Sequence, residues 1–189
     1  QLLAQELGVE LRLETAYNLG DIFSMLQRQE ADIAAAGLTL TEERSARFPY
    51  SIAYEKLTPQ VIYSGGGFRP ESLPDLAGVR LAVLAGSSHV EMLKGLQQEV
   101  PGLRWEEIDE ADTMQLLELL KEGDADLAII DSNEFAVRQS FYPNQHVAFD
   151  LGREQDMVWY LAPVVDNSRL LAYINDFIKR LHHDGTLAR

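Results

Sequence analysis

Hydrophobic positions change period repeatedly along the chain, and each change marks an element. "QLLAQELG" opens at helical spacing and closes on Gly8, which predicts the end of an amphipathic helix, whereas "VELRLET" alternates Val9, Leu11 and Leu13 with polar neighbours and predicts a strand. Leu19, Ile22, Phe23 and Leu26 return to helical spacing, and "ADIAAAG" is a short apolar run of the kind a buried parallel strand shows. "KLTPQVIYSGGG" reads as a strand running into Gly65–Gly67, and "FRPESLPDLAG", punctuated by Pro70, Pro74 and Gly78, reads as a hinge or linker.

A second series follows, with strands at "VRLAVLAG", "LRWEEID", "ADLAIID" and "QHVAFDL" and helices at "SSHVEMLKGLQQEVPG", "TMQLLELLKEGD" and "SNEFAVRQSFYP" between them. "QDMVWYLAPVV" is a further strand. The last helix aligns Leu170, Leu171, Ile174, Phe177, Ile178 and Leu181 on one face, after caps at Asp166, Asn167 and Ser168 and before Gly185. Strands alternating with helices of about 10–15 residues predict an α/β fold of two lobes with mostly parallel sheets. No short fixed repeat is present, which argues against a solenoid.

Composition narrows the partners more than the fold. Sixteen basic against thirty acidic side chains give a formal charge of −14, which repels phosphate backbones, so nucleic acid is excluded as an expected partner. No apolar run approaches the roughly 20 residues that span a bilayer, so no transmembrane segment is expected. The chain has no cysteine, which removes disulfides, thiol catalysis and thiolate metal sites. Four scattered histidines offer no i, i+4 ligand pair, and neither metal nor cofactor is expected.

Ligands of open α/β sheets bind beyond the carboxyl ends of strands, and three predicted strand ends carry polar chemistry. Thr39, Thr41 and Arg44 follow "ADIAAAGL", Ser87 and Ser88 follow Gly86, and Asp131 closes "ADLAII". Serines and free N–H groups at a helix start suit an anion, a guanidinium suits a carboxylate in two-pronged fashion, and an aspartate accepts from an ammonium. Together they match an α-amino acid. Each piece also has a purely structural reading. Thr39 with Glu42 forms a plausible capping box that would leave Arg44 and Arg47 in solvent, while Ser87 or Ser88 and Asp131 are plausible N-caps.

Other arrangements carry less. Ser88 beside His89 lacks an oriented acid for nucleophilic catalysis. Glu106, Glu107, Asp109, Glu110 and Asp112 read as a solvated edge. No catalytic residue is assigned, and the residues support binding better than turnover.

"AAGLTLTEERSARFPYSIAY", with a threonine followed five residues later by an arginine and then a Phe, Pro, Tyr run, resembles the family 3 solute-binding proteins, which have the type II periplasmic binding fold. "LPDLAGVRLAVLAGSS", "DADLAIIDS" and "INDFIKRLHHDGTLAR" are similar to that family's second-lobe start, ammonium-binding strand and terminal helix. The resemblance implies a two-lobed α/β domain with a hinge, lobe one being residues 1–64 without its first strand, lobe two 65–156, and 157–189 a return to lobe one. It implies carboxylate contacts from Thr39 and Arg44, further ones from Ser87 and Ser88, and Asp131 as ammonium partner. The implied lining of the interlobe cleft extends to Gly37, Leu38, Tyr54 and Gly86; where the family often has serine, Gly37 would offer backbone only.

"YSIAYEKLTPQVIYSGGGFRPESLPDL", "PGLRWEEID", "DMVWYL" and "DGTLAR" are similar, more narrowly, to the non-catalytic N-terminal domains of membrane-bound lytic murein transglycosylases. That implies a periplasmic regulatory domain, associated with the outer membrane through its parent protein, which binds a small amino acid or a peptidoglycan stem peptide beside a C-terminal lysozyme-like catalytic domain. Such a domain carries a catalytic Glu followed by Ser on a helix. The only such pair here, Glu71 and Ser72, lies between prolines and is read as coincidence. Three alternatives stand beside this reading: a free amino-acid receptor for a membrane permease, a dehydratase-type enzyme using Glu55 or His89, and a scaffold with a vestigial cleft.

Overall fold

The computed structural model describes residues 1–109, 112–164 and 166–188. In chain order the elements are α1 (Leu2–Leu7), α2 (Leu19–Gln27), β1 (Ile33–Thr39), α3 (Glu42–Ser45), β2 (Glu55–Leu57), β3 (Pro59–Ser64), β4 (Leu81–Leu84), α4 (Ser88–Leu96), β5 (Glu106–Ile108), α5 (Met114–Glu122), β6 (Leu127–Asp131), α6 (Ser132–Arg138), β7 (Gln145–Asp150), β8 (Gln155–Leu161) and α7 (Ser168–His183). They divide into two compact units, one of Gln1–Tyr17, Asp21–Lys56 and Asp156–Arg189 and the other of Asn18–Gly20 and Leu57–Gln155.

The first unit is built on a sheet of order β1-β8-β2, with β1 antiparallel to β8. Side chains alternate faces along β8. Trp159 and Leu161 pack with Leu3 of α1 and Ile174, Phe177 and Ile178 of α7. Each of those three α7 side chains contributes roughly 1.5–3 kcal/mol by leaving water. Tyr160 faces the other way, its ring 5.4 Å from Phe23, which is 5.3 Å from Phe48. Gly8 closes α1 in the left-handed conformation, its N–H bonded to Ala4 O and Gln5 O. At the start of α7, Asp166 Oδ1 accepts from the backbone N–H and hydroxyl of Ser168, and Gly185 follows the helix at φ 73°.

The second unit holds a five-stranded sheet of order β5-β4-β6-β3-β7. Its inner strands β4 and β6 read as continuous apolar runs because both faces are covered. Val61, Leu81, Val83, Leu127 and Ile129 pack under Val90 and Leu93 of α4, whereas Ile62, Ala82, Leu84, Ala128 and Ile130 pack under Leu116, Leu117 and Leu120 of α5 and Phe135 of α6. Odd and even positions thus divide cleanly between the two layers.

Four sequence expectations need correction. The sheet is mixed rather than mostly parallel: β4 runs parallel to β5 and β6, but β3 is antiparallel to both β6 and β7. Helical crossovers join only β4, β5 and β6, and parallel neighbours need such crossovers. The chain passes between units at Lys56/Leu57 and Gln155/Asp156, not at 64/65 and 156/157, because β3 belongs wholly to the second unit. The glycine run is accordingly a turn, with Gly65 N donating to Asn144 O and Gly67 N to Ser64 O, and the Pro70–Gly78 stretch packs through fully buried Leu76. Residues 9–15 form no strand, since alternation buries a face only where a neighbouring strand accepts the ladder; Leu13 is 84% exposed.

Candidate functional site

In the first unit the polar group is assembled where β1 meets α3. Thr41, not Thr39, is the N-cap: its Oγ1 accepts from Arg44 N at 3.2 Å. Thr39 is the last residue of β1 and is buried. The short helix turns the Arg44 side chain inward, so that it is only 7% exposed, and its guanidinium carbon lies 4.8 Å from the Phe23 ring centroid. Arg44 Nη1 donates to Thr39 O at 3.1 Å, and the Tyr160 hydroxyl donates to the same carbonyl at 2.9 Å. Cation–π contact and a buried acceptor fix the plane of the guanidinium, which leaves it preorganised for forked recognition. Arg47 keeps the solvated role, exposed beside Phe48.

Gly37 lies at φ 67° in a bulge of β1, exposed, and a side chain there would be strained; this is the local reason for glycine where the resembling family has serine. Leu38 is fully buried in the core, so a ligand could meet only its backbone. Tyr54 does not join the Arg44 group. Its N–H bonds Met157 O, but its ring packs 6.1 Å from Trp159 in the α7 layer, and burial followed by the nearby Glu55 charge pushes its phenol up to about 12.

In the second unit, β4 and β6 are parallel neighbours, so the helices that follow them begin at the same end of the sheet. Gly86 makes the turn into α4 at φ 69°, and a Cβ there would lie 3.4 Å from Gly20 N. Ser87 holds the N-cap position without capping; its Oγ is buried and has no hydrogen-bond partner. Ser88, the first helical residue, is buried beside it. Asp131 holds the N-cap position of α6, again without a side-chain cap bond. Its Oδ1 instead meets His89 Nε2 at 2.8 Å, a pair 42 residues apart in sequence that sequence reasoning missed. The strand-end rule pointed to both helix starts, but not to the contact across them.

Buried polar side chains single out these positions. Among the described residues they are Thr39, Arg44, Ser51, Ser87, Ser88, His89, Thr113 and Gln145. Ser51, Thr113 and Gln145 serve the framework through bonds to Ile52 O, Glu134 Oε2 and Leu117 O. The other five are four strand-end residues, Thr39, Arg44, Ser87 and Ser88, together with His89, the partner of half-buried Asp131; caps or solvated arginines would not be buried without capping.

The remaining candidates resolve structurally. Ser72 opens a 3-10 turn at Leu73–Leu76, where Asp75 Oδ2 accepts from the N–H groups of Glu71 and Ser72; those backbone donors hold Asp75 below the usual carboxylate range. Glu55 is exposed on β2, and Glu106, Glu107, Asp109 and Asp112 are exposed as expected, Glu110 lying outside the described residues. Among the described residues, no three His, Asp or Glu side chains cluster as metal ligands, and no helix is long and apolar enough to cross a membrane.

Comparison with known proteins places this chain in a family. The model of bacterial extracellular solute-binding proteins, family 3, matches residues 1–189. Membrane-bound lytic murein transglycosylase F of Pseudomonas savastanoi pv. phaseolicola is 43% identical over 187 residues, 98% of this chain and 38% of its own length. The Pseudomonas fluorescens Pf-5 protein of the same name is 44% identical over 98% of this chain and 38% of its own. The chain therefore spans under two fifths of these curated relatives, and what it matches is a solute-binding domain, the rest of each relative lying outside the match. Among solved structures, an ancestral arginine-binding protein bound to arginine superposes with TM-score 0.86 at 24% identity, covering 98% of this chain and 80% of that one. The GluR0 ligand-binding core from Nostoc punctiforme, in complex with (L)-glutamate, gives 0.84 at 20% identity, covering 98% and 83%. The fold is thus the type II periplasmic binding fold, and the chain belongs to the bacterial extracellular solute-binding proteins, family 3.

Proposed function

We propose that this chain is the ligand-binding regulatory domain of a peptidoglycan lytic transglycosylase, taking a small amino acid or a peptidoglycan stem peptide. One observation carries the reading: relatives about 43% identical over nearly the whole chain are named lytic transglycosylases, while the matched portion is a solute-binding domain. The buried polar sets of the two units support the ligand class. Arg44, with Thr39, takes the carboxylate; Ser87 and Ser88 add hydroxyls at the start of α4; Asp131 takes the ammonium. Gly37, Leu38 and Gly86 offer backbone, and Tyr54 contributes through packing. A ligand shifts the domain only as far as its affinity differs between the domain's states, and this is the signal passed to a C-terminal lysozyme-like catalytic domain of the same protein. The site of action is the periplasm, at the outer membrane.

A thermal-shift screen against the twenty common L-amino acids and synthetic stem peptides tests this. A binder present at 100 times its Kd adds about 2.7 kcal/mol of stability, a clear rise in melting temperature. A domain that shifts with none of them is a scaffold, and the reading fails.

A further inference from the structure

We infer that His89 is a positioning residue for the ammonium acceptor, fixing which oxygen of Asp131 a ligand meets. The inference rests on the proposed amino-acid site and goes beyond it. Asp131 sits where an aspartate ordinarily bonds the first N–H groups of its helix, yet its side chain makes no such bond. Its Oδ1 is turned to His89 Nε2 at 2.8 Å. An ionised carboxylate only accepts, so Nε2 carries the proton and donates. The pair is enclosed, the imidazole side chain being 6% exposed and the carboxylate 16%.

The framework holds both ends. Asp131 ends β6 opposite Pro59 of β3, and the next residue, Ser132, is clamped to Thr58 by two bonds, its N–H donating to Thr58 O at 2.9 Å and its Oγ accepting from Thr58 N at 3.1 Å. His89 is the second residue of α4, held by burial in its first turn. The carboxylate is therefore locked in rotation with Oδ1 committed, and Oδ2 is the oxygen that receives an ammonium. A rotating carboxylate would lose that freedom on binding, and the histidine removes the cost in advance. The same contact selects for a charged donor: an α-hydroxy acid brings one weak O–H to Oδ2, whereas an α-amino acid brings a charge-assisted N–H.

Two variants and one spectrum test the inference. Isothermal calorimetry is run on wild type, His89→Leu and His89→Gln with each of the twenty L-amino acids, and with the α-hydroxy counterpart of any that binds. His89→Leu is expected to weaken amino-acid binding by about tenfold or more, the scale of a hydrogen bond to a charged group, and to narrow the preference for amino over hydroxy acid. His89→Gln keeps an N–H donor and is expected to recover to within about threefold of wild type. Wild-type affinity in His89→Leu overturns the inference, as does equal loss in both variants when both melt like wild type. Long-range 15N spectra of unliganded wild type supply an arm that needs no ligand: the Nε2–H tautomer supports the inference and Nδ1–H overturns it. If no amino acid binds wild type, the site reading itself fails, while the tautomer still decides the His89–Asp131 contact.

Discussion

Arg44 is, among the described residues, the one Lys, Arg, Asp or Glu side chain that is buried. Replacing it with alanine is expected to abolish saturable amino-acid binding, a loss of roughly 2–5 kcal/mol for one partner of a buried charged pair, read by calorimetry. Arg44→Lys keeps the charge but loses the fork and the flat contact with Phe23, so intermediate affinity is expected; wild-type affinity in Arg44→Ala refutes the carboxylate assignment. The spacing of Thr39 and Arg44 was legible in the sequence. Its burial was not, because the inward turn depends on Thr41 as cap and Phe23 as platform, and the local pattern fits a cap at Thr39 equally well. Asp131 was legible for the same reason and His89 was not: their contact is made only when two parallel strands bring two helix starts together. Two phenols give a further check at this scale. Tyr54 and Tyr142 are raised from 10.0 to about 12, chiefly by burial, with Glu118 hydrogen-bonded to Tyr142 adding to it. Their neutral forms are favoured in the fold, so the stability they lend is complete below pH about 10 and lost as pH rises through about 12. Ultraviolet titration is expected to show two tyrosines ionising late, in step with alkaline unfolding; ionisation of all seven near pH 10 in the folded protein contradicts their burial.

Among the elements, the turn from β4 into α4 has the least tolerance. Gly86 adopts φ 69° and packs against Gly20, so Gly86→Ala is expected to cost roughly 1–3 kcal/mol of backbone strain, seen as a lower urea midpoint at unchanged slope. A midpoint equal to wild type shows that the turn relaxes freely. Periodicity located α2, α4, α5 and α7 because each helix has one face to bury. It failed at Val9, Leu11 and Leu13, where the alternation is real but no strand pairs with it. It also misread Gly65–Gly67, since a glycine run marks a tight turn and a hinge alike, and only the bond from Gly65 to Asn144 tells them apart.

For the whole molecule, pH is the simplest probe. The Arg80 guanidinium, hydrogen-bonded to Asp126, holds that carboxyl below its ordinary 3.8, and Lys121 with Tyr142 holds Glu118 below its own ordinary value. A carboxyl depressed in the fold lends stability that is present above its unfolded value and lost as pH falls through the folded one. Melting temperature is therefore expected to fall as pH is lowered below about 4, and Arg80→Ala to flatten that limb. An unchanged limb in Arg80→Ala removes Asp126 from the account. The α/β class came from strand and helix order, and the family resemblance from motifs such as "AAGLTLTEERSARFPYSIAY" and "DADLAIIDS". The true crossing at Lys56/Leu57 did not, because "KLTPQVIYS" reads as one strand while the structure splits it into β2 and β3 on different sheets.

The bulge in β1 also sets a rule for insertions and deletions. Residue numbers paired across β1 and β8 are Ile33 with Leu161 and Ala34 with Tyr160 before it, and Leu38 with Val158 and Thr39 with Met157 after it, so β1 spends two more residues than its partner. Strand faces repeat every two residues, and an even change preserves them. Excising Ala35 and Ala36 together keeps Leu38 inward and leaves Thr39 leading into the cap at Thr41, whereas excising Ala36 alone inverts every side chain that follows. Of two shortened proteins, the one missing more sequence is the one expected to fold.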